Sequence, residues 1–394
     1  MNRIEEMIRE LCPKGVEYKK LKNTTTIMRG VRVVKSQLQS IGSYPVYQNS
    51  LTPMGYYDKY NCSANTTFII GAGSAGEIGY SSVDFWAADD CFFFVCPDNL
   101  QSRFLYFVLL SQQNIIRSQV RKASIPRLGR AIIENIEIPV PPLAIQNEIV
   151  NILDKFTELE AELEAELEAR RKQYEYYRNK LLNFNEFTPP QEGEVKWLAM
   201  SEIFEIKNGY TPSKAKPEYW TNGTIPWFRM EDIRTNGRIL EDSIQHITPE
   251  AVKGGRLFPA NSIILATTAT IGEHALIIAD SLANQRFTNL SIRKSLADEL
   301  DMKFFFYYMF IVDEWCKNNT NTSGFESVDM VKFKKLQIPI PPMKEQQRIV
   351  AILDKFETLV NDISEGLPAE IAARRQQYEY YRDKLLGFGR VVSG

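Results

Sequence analysis

Residues 138–156 read IPVPPLAIQNEIVNILDKF, and residues 338–356 read IPIPPMKEQQRIVAILDKF, identical at 12 of 19 positions. A second block follows each copy: ARRKQYEYYRNKLLNF at 169–184 and ARRQQYEYYRDKLLGF at 373–388, identical at 13 of 16. The first pair is offset by 200 residues and the second by 204, so the later copy carries four extra residues between its blocks. Solenoid repeats recur every ~20–50 residues; an offset this long marks duplication of a whole module.

Each copy reads as a long helix. Pro141-Pro142 and Pro341-Pro342 mark its start, because proline suits a first helical turn and keeps the preceding residue extended. In the first copy Ile149, Leu153, Phe156, Leu163, Leu167, Tyr174, Tyr177, Leu181 and Phe184 follow at coiled-coil spacing. A helix from Leu143 to Asn183 runs on the order of 60 Å, a spacer's length. Within it, TELEAELEAELEA places Leu159, Leu163 and Leu167 on successive turns of one face. In the second copy SEGLPAE (364–370) is expected to break the helix near Gly366, with a restart at Pro368.

Outside the helices lie two domain-sized stretches built of short apolar runs bounded by Gly, Asn, Asp and Pro, which read as strands and turns. In the first, TTFIIG (66–71), EIGYSS (77–82) and CFFFVC (91–96) are strands, and FLYFVLLSQ (104–112) is a helix. In the second, SIILATT (262–268), EHALIIA (273–279) and RFTNLSI (286–292) precede the helical FFFYYMFIVDEW (304–315). The expected class is α+β. Two domains with mixed or antiparallel sheets (1–140 and 188–340) alternate with helical coiled-coil regions (141–187 and 341–394). The helices form an antiparallel, pseudo-twofold pair that presents the domains as inverted copies.

Composition excludes several functions. With 44% hydrophobic and 24% charged residues the chain is ordinary globular protein. No run approaches the ~20 apolar residues of a membrane span, and MNRIEEMIRELCPKG lacks a signal peptide's apolar stretch, so a cytoplasmic location is expected. Cys12, Cys62, Cys91, Cys96 and Cys316 form no CxxC pair, and only His246 and His274 are present, at no ligand spacing. No metal site is expected. The net charge of −2 conceals an uneven distribution. Residues 1–137 hold 16 basic and 12 acidic side chains, a net of +4, and residues 138–187 hold 6 and 10, a net of −4. Residues 188–337 hold 17 and 19, so nucleic-acid binding there needs a local basic face.

Two catalytic readings fail. GAGSAG (71–76) resembles a nucleotide loop, but Glu77-Ile78 stands where a Walker loop needs Lys-Ser/Thr, and a strand follows instead of a helix. A tight turn between strands is the expected role. No Asn/Asp-Pro-Pro-aromatic motif of amino-methyltransferases occurs, since Pro189-Pro190 follows Phe187-Thr188. Neither catalysis nor a cofactor is expected of this chain. The alternatives are an enzyme with an unrecognised site, distinguished by methyl transfer or cleavage by the pure chain, and a coiled-coil scaffold. Two dissimilar, loop-rich domains argue against the scaffold.

Along essentially its whole length the sequence resembles the specificity subunits of type I restriction–modification systems. The resemblance rests on I-P-x-P-P, Q-x-x-I-V-x-I-L-D-K-F and R-R-x-Q-Y-E-Y-Y-R-x-K-L-L, each present twice and in the same order. AGSAGEIGY (72–80) with FWAADDCF (85–92), and TTATIGE (267–273) with NQRFTNLSI (284–292), resemble two varieties of target-recognition domain. The resemblance implies that each domain reads half of a split target in double-stranded DNA, with a gap set by the helices. It implies docking of two methyltransferase subunits and, through them, of translocase–nuclease subunits. The Gly-Leu-Pro interruption and the early start of the first domain depart from the family pattern.

Binding DNA asks for Lys or Arg near phosphates and for Arg, Lys, Asn, Gln or Ser on base edges. In the first domain RGVRVVK (29–35) supplies Arg29, Arg32 and Lys35, and SYPVYQNS (43–50) supplies Tyr47, Gln48 and Asn49. RKASIPRLGR (121–130), the densest basic cluster, supplies Arg121, Lys122, Ser124, Arg127 and Arg130. In the second domain KNGYTPSKAK (207–216) supplies Lys207, Tyr210, Thr211, Ser213, Lys214 and Lys216. WFRMEDIRTNGR (227–238) adds Trp227, Arg229 and Arg234, and KNNTNTSG (317–324) adds Asn319, Asn321 and Ser323. Thr268 of TTATIGE is a further candidate, and Ser74 of AGSAGE with Asn284, Gln285 and Arg286 of NQRF sit in framework-like blocks and are assigned phosphate or structural roles first. On the helices Tyr176 and Tyr380 fall off the seam beside Arg178 and Arg382, and are candidates for methyltransferase docking.

Overall fold

The computed structural model describes residues 2–184, 195–321, 326–361 and 366–390. Its longer helices are α1 (Asn2–Leu11), α2 (Ser102–Ser111), α3 (Leu143–Leu182), α4 (Met302–Asn318), α5 (Met343–Asn361) and α6 (Leu367–Leu386). Two compact units result, one of residues 1–165 with 369–394 and one of residues 166–368. The first part of α3 therefore belongs to one unit and its last part to the other.

The first unit contains strands β1 (Tyr18–Lys20), β2 (Thr26–Arg29), β3 (Tyr44–Tyr47), β4 (Tyr56–Tyr57), β5 (Thr66–Ile70), β6 (Ile78–Ser81), β7 (Trp86–Ala87), β8 (Cys91–Val95) and β9 (Glu137–Pro139). They form an antiparallel sheet in the order β2-β8-β5-β6, a mixed sheet β4-β3-β7 and the pair β1-β9. Alternation splits the apolar residues between two faces. Ile69, Phe92 and Phe94 pack with Phe104 and Phe107 of α2, whereas Phe68, Ile70, Cys91 and Phe93 pack with Phe85. A strand covered on both sides reads as an unbroken apolar run, which is why CFFFV looks continuous in sequence.

The second unit repeats this plan with β10 (Lys196–Ala199), β11 (Phe204–Asn208), β12 (Ile225–Phe228), β13 (Ile239–Leu240), β14 (His246–Ile247), β15 (Ser262–Ala266), β16 (His274–Ile277), β17 (Leu282–Ala283), β18 (Phe287–Ile292), β19 (Thr320–Asn321), β20 (Ser327–Val328) and β21 (Gln337–Ile340). The sheets are β11-β18-β15-β16-β13, β14-β12-β17, β10-β21 and β19-β20. Ile263 and Leu265 face α4, and Ile264 and Ala266 face Trp227 and Phe228. All six strands and both helices read from the sequence are present, and the α+β class with mixed sheets holds.

The prolines start the helices as expected: Pro142 O accepts from the N–H groups of Ile145 and Gln146, and Pro342 O from those of Glu345 and Gln346. The second helical region is split between α5 and α6, with Pro368 in the first turn of α6. Ser364 and Glu365 of the interruption lie outside the described residues.

The repeats pair crosswise within each unit. Phe156 stacks on Tyr381 at 5.6 Å and lies 6.4 Å from Tyr378. In the other unit Phe356 stacks on Tyr174 at 6.1 Å and on Tyr177 at 5.8 Å. The LDKF block of each copy therefore meets the QYEYYR block of the other. Arg375 pairs with Glu160 and Glu164, so the first part of α3 and α6 run antiparallel. The seam is deep at its ends, where Ile149, Leu153 and Tyr174 are buried, and shallow between, where Leu163 and Leu167 are half-buried and Leu159 is exposed. At the ends the helix packs into the core of a sheet-bearing domain, where Ile149 and Leu153 join one cluster and Tyr174 and Leu182 the other.

Candidate nucleic-acid interface

In the first domain the β5–β6 turn organises the candidate residues. Gly73 and Gly76 both adopt φ of +86°, and a side chain at Gly73 would lie 2.7 Å from Asn49. Only glycine permits that approach. Ser74 N–H donates to Asn49 O at 2.9 Å, and Gly73 N–H to Pro126 O at 3.1 Å. Arg121 and Arg127 exchange backbone hydrogen bonds of 2.9 and 3.2 Å, closing a hairpin whose base lies along the turn. Gly71 N–H donates to Asp90 O at 2.6 Å, and Arg29 Nε to Asp89 O at 2.8 Å. Arg29, Asn49, Ser74, Arg121, Lys122, Ser124 and Arg127 thus gather at one end of the domain. Arg32 and Lys35 are exposed on the loop after Gly30, and Gln48 is half-buried at the end of β3. Tyr47 is tied into the fold, its ring 4.8 Å from Phe68, and burial raises its phenol pKa. Arg130 is held by Glu134 at 2.8 Å and by Ile27 O.

The second domain builds the same end. Its β15–β16 turn has Ala269 at φ +67° and Gly272 at +80° where the first has its two glycines. Thr267 N–H donates to Arg286 O at 2.9 Å, as Gly71 does to Asp90, and Val328 N–H donates to Thr267 O at 2.9 Å. Asn284 Oδ1 caps Arg286 N–H at 2.9 Å, and Thr211 donates to Gln285. Thr211, Thr268, Asn284, Gln285 and Arg286 are therefore neighbours. Asn321 is exposed on β19, Asn319 donates to Trp315 O, and Ser323 lies outside the described residues.

The other candidates of this domain divide between core positions and exposed positions with local partners. Trp227 is 3% exposed and donates Nε1–H to Tyr210 O. The Tyr210 hydroxyl bridges Ala251 O and Lys253 N–H. Arg229 pairs with Glu231, Lys207 with Glu205, and Lys216 lies over the Tyr219 ring at 4.9 Å. Ser213 O accepts from Trp220, while Lys214 and Arg234 are exposed.

Matching hydrogen bonds also expose a pair that sequence reading passed over. Gly30 N–H donates to Cys91 O as Gly209 does to Phe287, and Ala88 N–H to Tyr47 O as Asn284 does to Phe228. This correspondence gives Asp89-Asp90 of the first domain the position that Gln285-Arg286 hold in the second. The sequence signal was there, in FWAADDCF, but only the ladder aligns it with NQRF.

On the helices Tyr176 is 60% and Tyr380 61% exposed. Each stands edge-on to its neighbour at 5.3 Å, with Lys180 or Lys384 about a ring's width away at 5.8 and 6.0 Å. Arg178 turns inward over Phe310 at 4.1 Å, and Arg382 lies over Tyr378 and pairs with Asp383. The histidines find acids far from any ligand spacing: buried His274 Nδ1 lies 2.7 Å from Asp313, and His246 Nε2 2.6 Å from Asp242. Among the described residues no group of three potential ligands could hold a metal, and no helix is long and apolar enough to cross a membrane.

The family model for the type I restriction modification DNA specificity domain matches residues 13–169 and again 192–373. A putative type I restriction enzyme specificity subunit of Haemophilus influenzae is 34% identical over 390 residues, covering 95% of this chain and 96% of that one. The EcoprrI specificity subunit of Escherichia coli is 57% identical over 202 residues, a match that spans half of each chain. Among solved structures, a Mycoplasma genitalium type I S subunit superposes with a TM-score of 0.58 at 18% identity, covering 94% of this chain and 96% of that one. A chain from a study of type I complex assembly superposes at 0.66 with 15% identity, covering 94% and 97%. At such identities the structural likeness speaks for the fold alone.

Proposed function

The chain belongs to the type I restriction–modification DNA specificity family, and on that footing we propose that it is the non-catalytic DNA-reading subunit of such a complex. Residues 1–140 and 188–340 each read one half of a bipartite target in double-stranded DNA. Residues 141–187 and 341–394 set the gap and dock two methyltransferase subunits, through which the restriction translocase–nuclease joins. The complex works in the cytoplasm.

The observation that carries this reading is the same loop end, built twice on different residues. A glycine or alanine turn, a β-hairpin and a short polar turn converge in both domains through matching backbone hydrogen bonds. The scaffold recurs while its side chains differ: exposed Asn49 and Arg121–Arg127 with half-buried Ser74 in one domain, exposed Gln285 and Arg286 with half-buried Thr211 in the other. Two different half-sites require that combination. Catalysis and cofactors are assigned to the partners.

The test is an exchange of residues 188–337 for the equivalent domain of a relative, expressed with the methyltransferase subunit in a host free of other DNA methylation. One half of the methylated motif should change. A change in both halves, or in neither, removes the modular reading.

A further inference from the structure

The hairpin at 121–127 carries a feature that phosphate binding does not need. Its tip, Lys122-Ala123-Ser124-Ile125-Pro126, is exposed throughout, and Ile125 is 54% exposed. Residues 121–130 contain four Lys or Arg and no acid. Among the described residues Arg121, Lys122 and Arg127 have no carboxylate partner. The isoleucine thus stands among unpaired cations.

The tip is also held in place. Reciprocal hydrogen bonds between Arg121 and Arg127 close its base, and Gly73 N–H to Pro126 O and Leu128 N–H to Gly71 O clamp it to the glycine turn. Pro126 restricts Ile125 to an extended backbone. Little ordering entropy remains to be lost when the tip engages a ligand.

We propose that Ile125 is a DNA wedge. With Arg121, Lys122 and Arg127 on flanking phosphates, its side chain enters a base-pair step of the duplex from the minor groove, partly unstacks it and bends the DNA. The charge fits a polyanion, and the apolar body fits the one apolar compartment a duplex offers, the space between stacked bases. Bending would bring more of the duplex against the recognition domain. This inference rests on the DNA-reading role proposed above.

The experiment uses the chain co-purified with its methyltransferase subunits and duplexes carrying the mapped motif, with 2-aminopurine placed at successive steps. The wild-type complex should brighten one step on the first domain's side. Ile125→Ser should abolish that signal and weaken binding to intact duplex about tenfold, the scale of one aliphatic side chain lost from an apolar site. On a duplex with a one-nucleotide gap at that step, variant and wild type should bind equally. Motif-dependent binding by wild type with no brightened step overturns the wedge and leaves the DNA-reading role standing. Equal weakening on intact and gapped duplexes overturns it too, as does failure of Ile125→Ser to retain methyltransferase, which would make the tip a protein contact. Absence of any motif-dependent binding by wild type removes the underlying role and the wedge with it.

Discussion

The side-chain oxygen of Gln146 accepts a hydrogen bond from the backbone N–H of Gln101 at 2.9 Å. Its amide donates to Asn99 O at 2.9 Å and to Pro141 O at 2.7 Å. In the other unit Gln346 accepts from Asp301 N–H at 2.9 Å and donates to Glu299 O and Pro341 O. Both glutamines are fully buried. Each fastens the loop before a domain helix to the first turn of a repeat helix. An ion pair about two turns further along the repeat helix adds to each joint: Arg103 with Asp154 at 2.7 Å, and Lys303 with Asp354 at 2.7 Å.

Replacing Gln146 by Leu would keep the volume and strand a backbone N–H and two carbonyls. A cost of about 3 kcal/mol or more is expected, from three unsatisfied buried polar groups at ~1–3 kcal/mol each. Amide exchange at residues 99–105 should accelerate while the second unit keeps its protection. Unchanged exchange at those amides would show that the joint lies elsewhere.

Arg121 and Lys122 project at the loop end, whereas Arg130 is tied to Glu134 and Ile27 O. Each phosphate contact contributes about 0.9 to the slope of log affinity against log salt. Changing Arg121 and Lys122 together to Gln should lower that slope by ~2 without altering the motif. Arg130→Gln should leave it unchanged. Salt titration of complex binding reads both.

The spacing of the half-sites should follow the length of α3. Inserting Leu-Glu-Ala-Glu after Glu166 adds about 6 Å of helix and turns the register ~40° past a full turn. One base pair rises about 3.4 Å and twists by roughly 34–36°. The insertion should widen the central gap of the methylated motif by one to two base pairs and leave both half-sites intact, as methylome mapping would report.

Tyr176 and Tyr380 stand on separate units in the same local setting, each with an exposed ring and an adjacent lysine. Changing either to Ala should yield complexes carrying one methyltransferase subunit, and changing both should yield none. Native mass spectrometry counts the subunits directly.

Burial raises the thiols of Cys62 and Cys316 to about 12 and that of Cys96 to about 11, and holds that of Cys91 well above the ordinary thiol range, each mainly through desolvation of the thiolate. A raised pKa means that the folded chain holds protons the unfolded chain has lost. The stabilisation is complete below pH ~9 and declines as pH rises from there toward 12, by about 1.4 kcal/mol per pH unit for each thiol. At pH 8 an alkylating reagent should label Cys12, the more exposed thiol, before the other four.

The candidate site was legible in part. Gathering of RKASIPR with AGSAG depends on a hairpin closing against a turn some fifty residues earlier, and no local pattern encodes that. Trp227 beside Phe228 and Arg229 reads like a surface cluster, yet it lies in the core because Tyr210 O and Trp220 enclose it. Arg178 and Arg382 stand beside the exposed tyrosines in sequence, and both lie over aromatic rings. A cation next to an aromatic in sequence has the same composition whether it faces water or a neighbouring ring.

By itself the sequence determined the duplicated module, the helix starts at Pro141-Pro142 and Pro341-Pro342, the interruption at Gly366, the strand runs and the family resemblance. Each is written in local periodicity, in residues with restricted backbones, or in one segment's identity to another. The tertiary structure alone decided that Phe156 meets Tyr378 and Tyr381 while Phe356 meets Tyr174 and Tyr177. It also decided that Asp89-Asp90 occupies in its domain the position that Gln285-Arg286 occupies in the other. Near-identical repeats offer the same apolar faces to themselves and to each other. The choice between those pairings is made by chain connectivity and by the domains packed on each helix end, and neither is a property of any one segment.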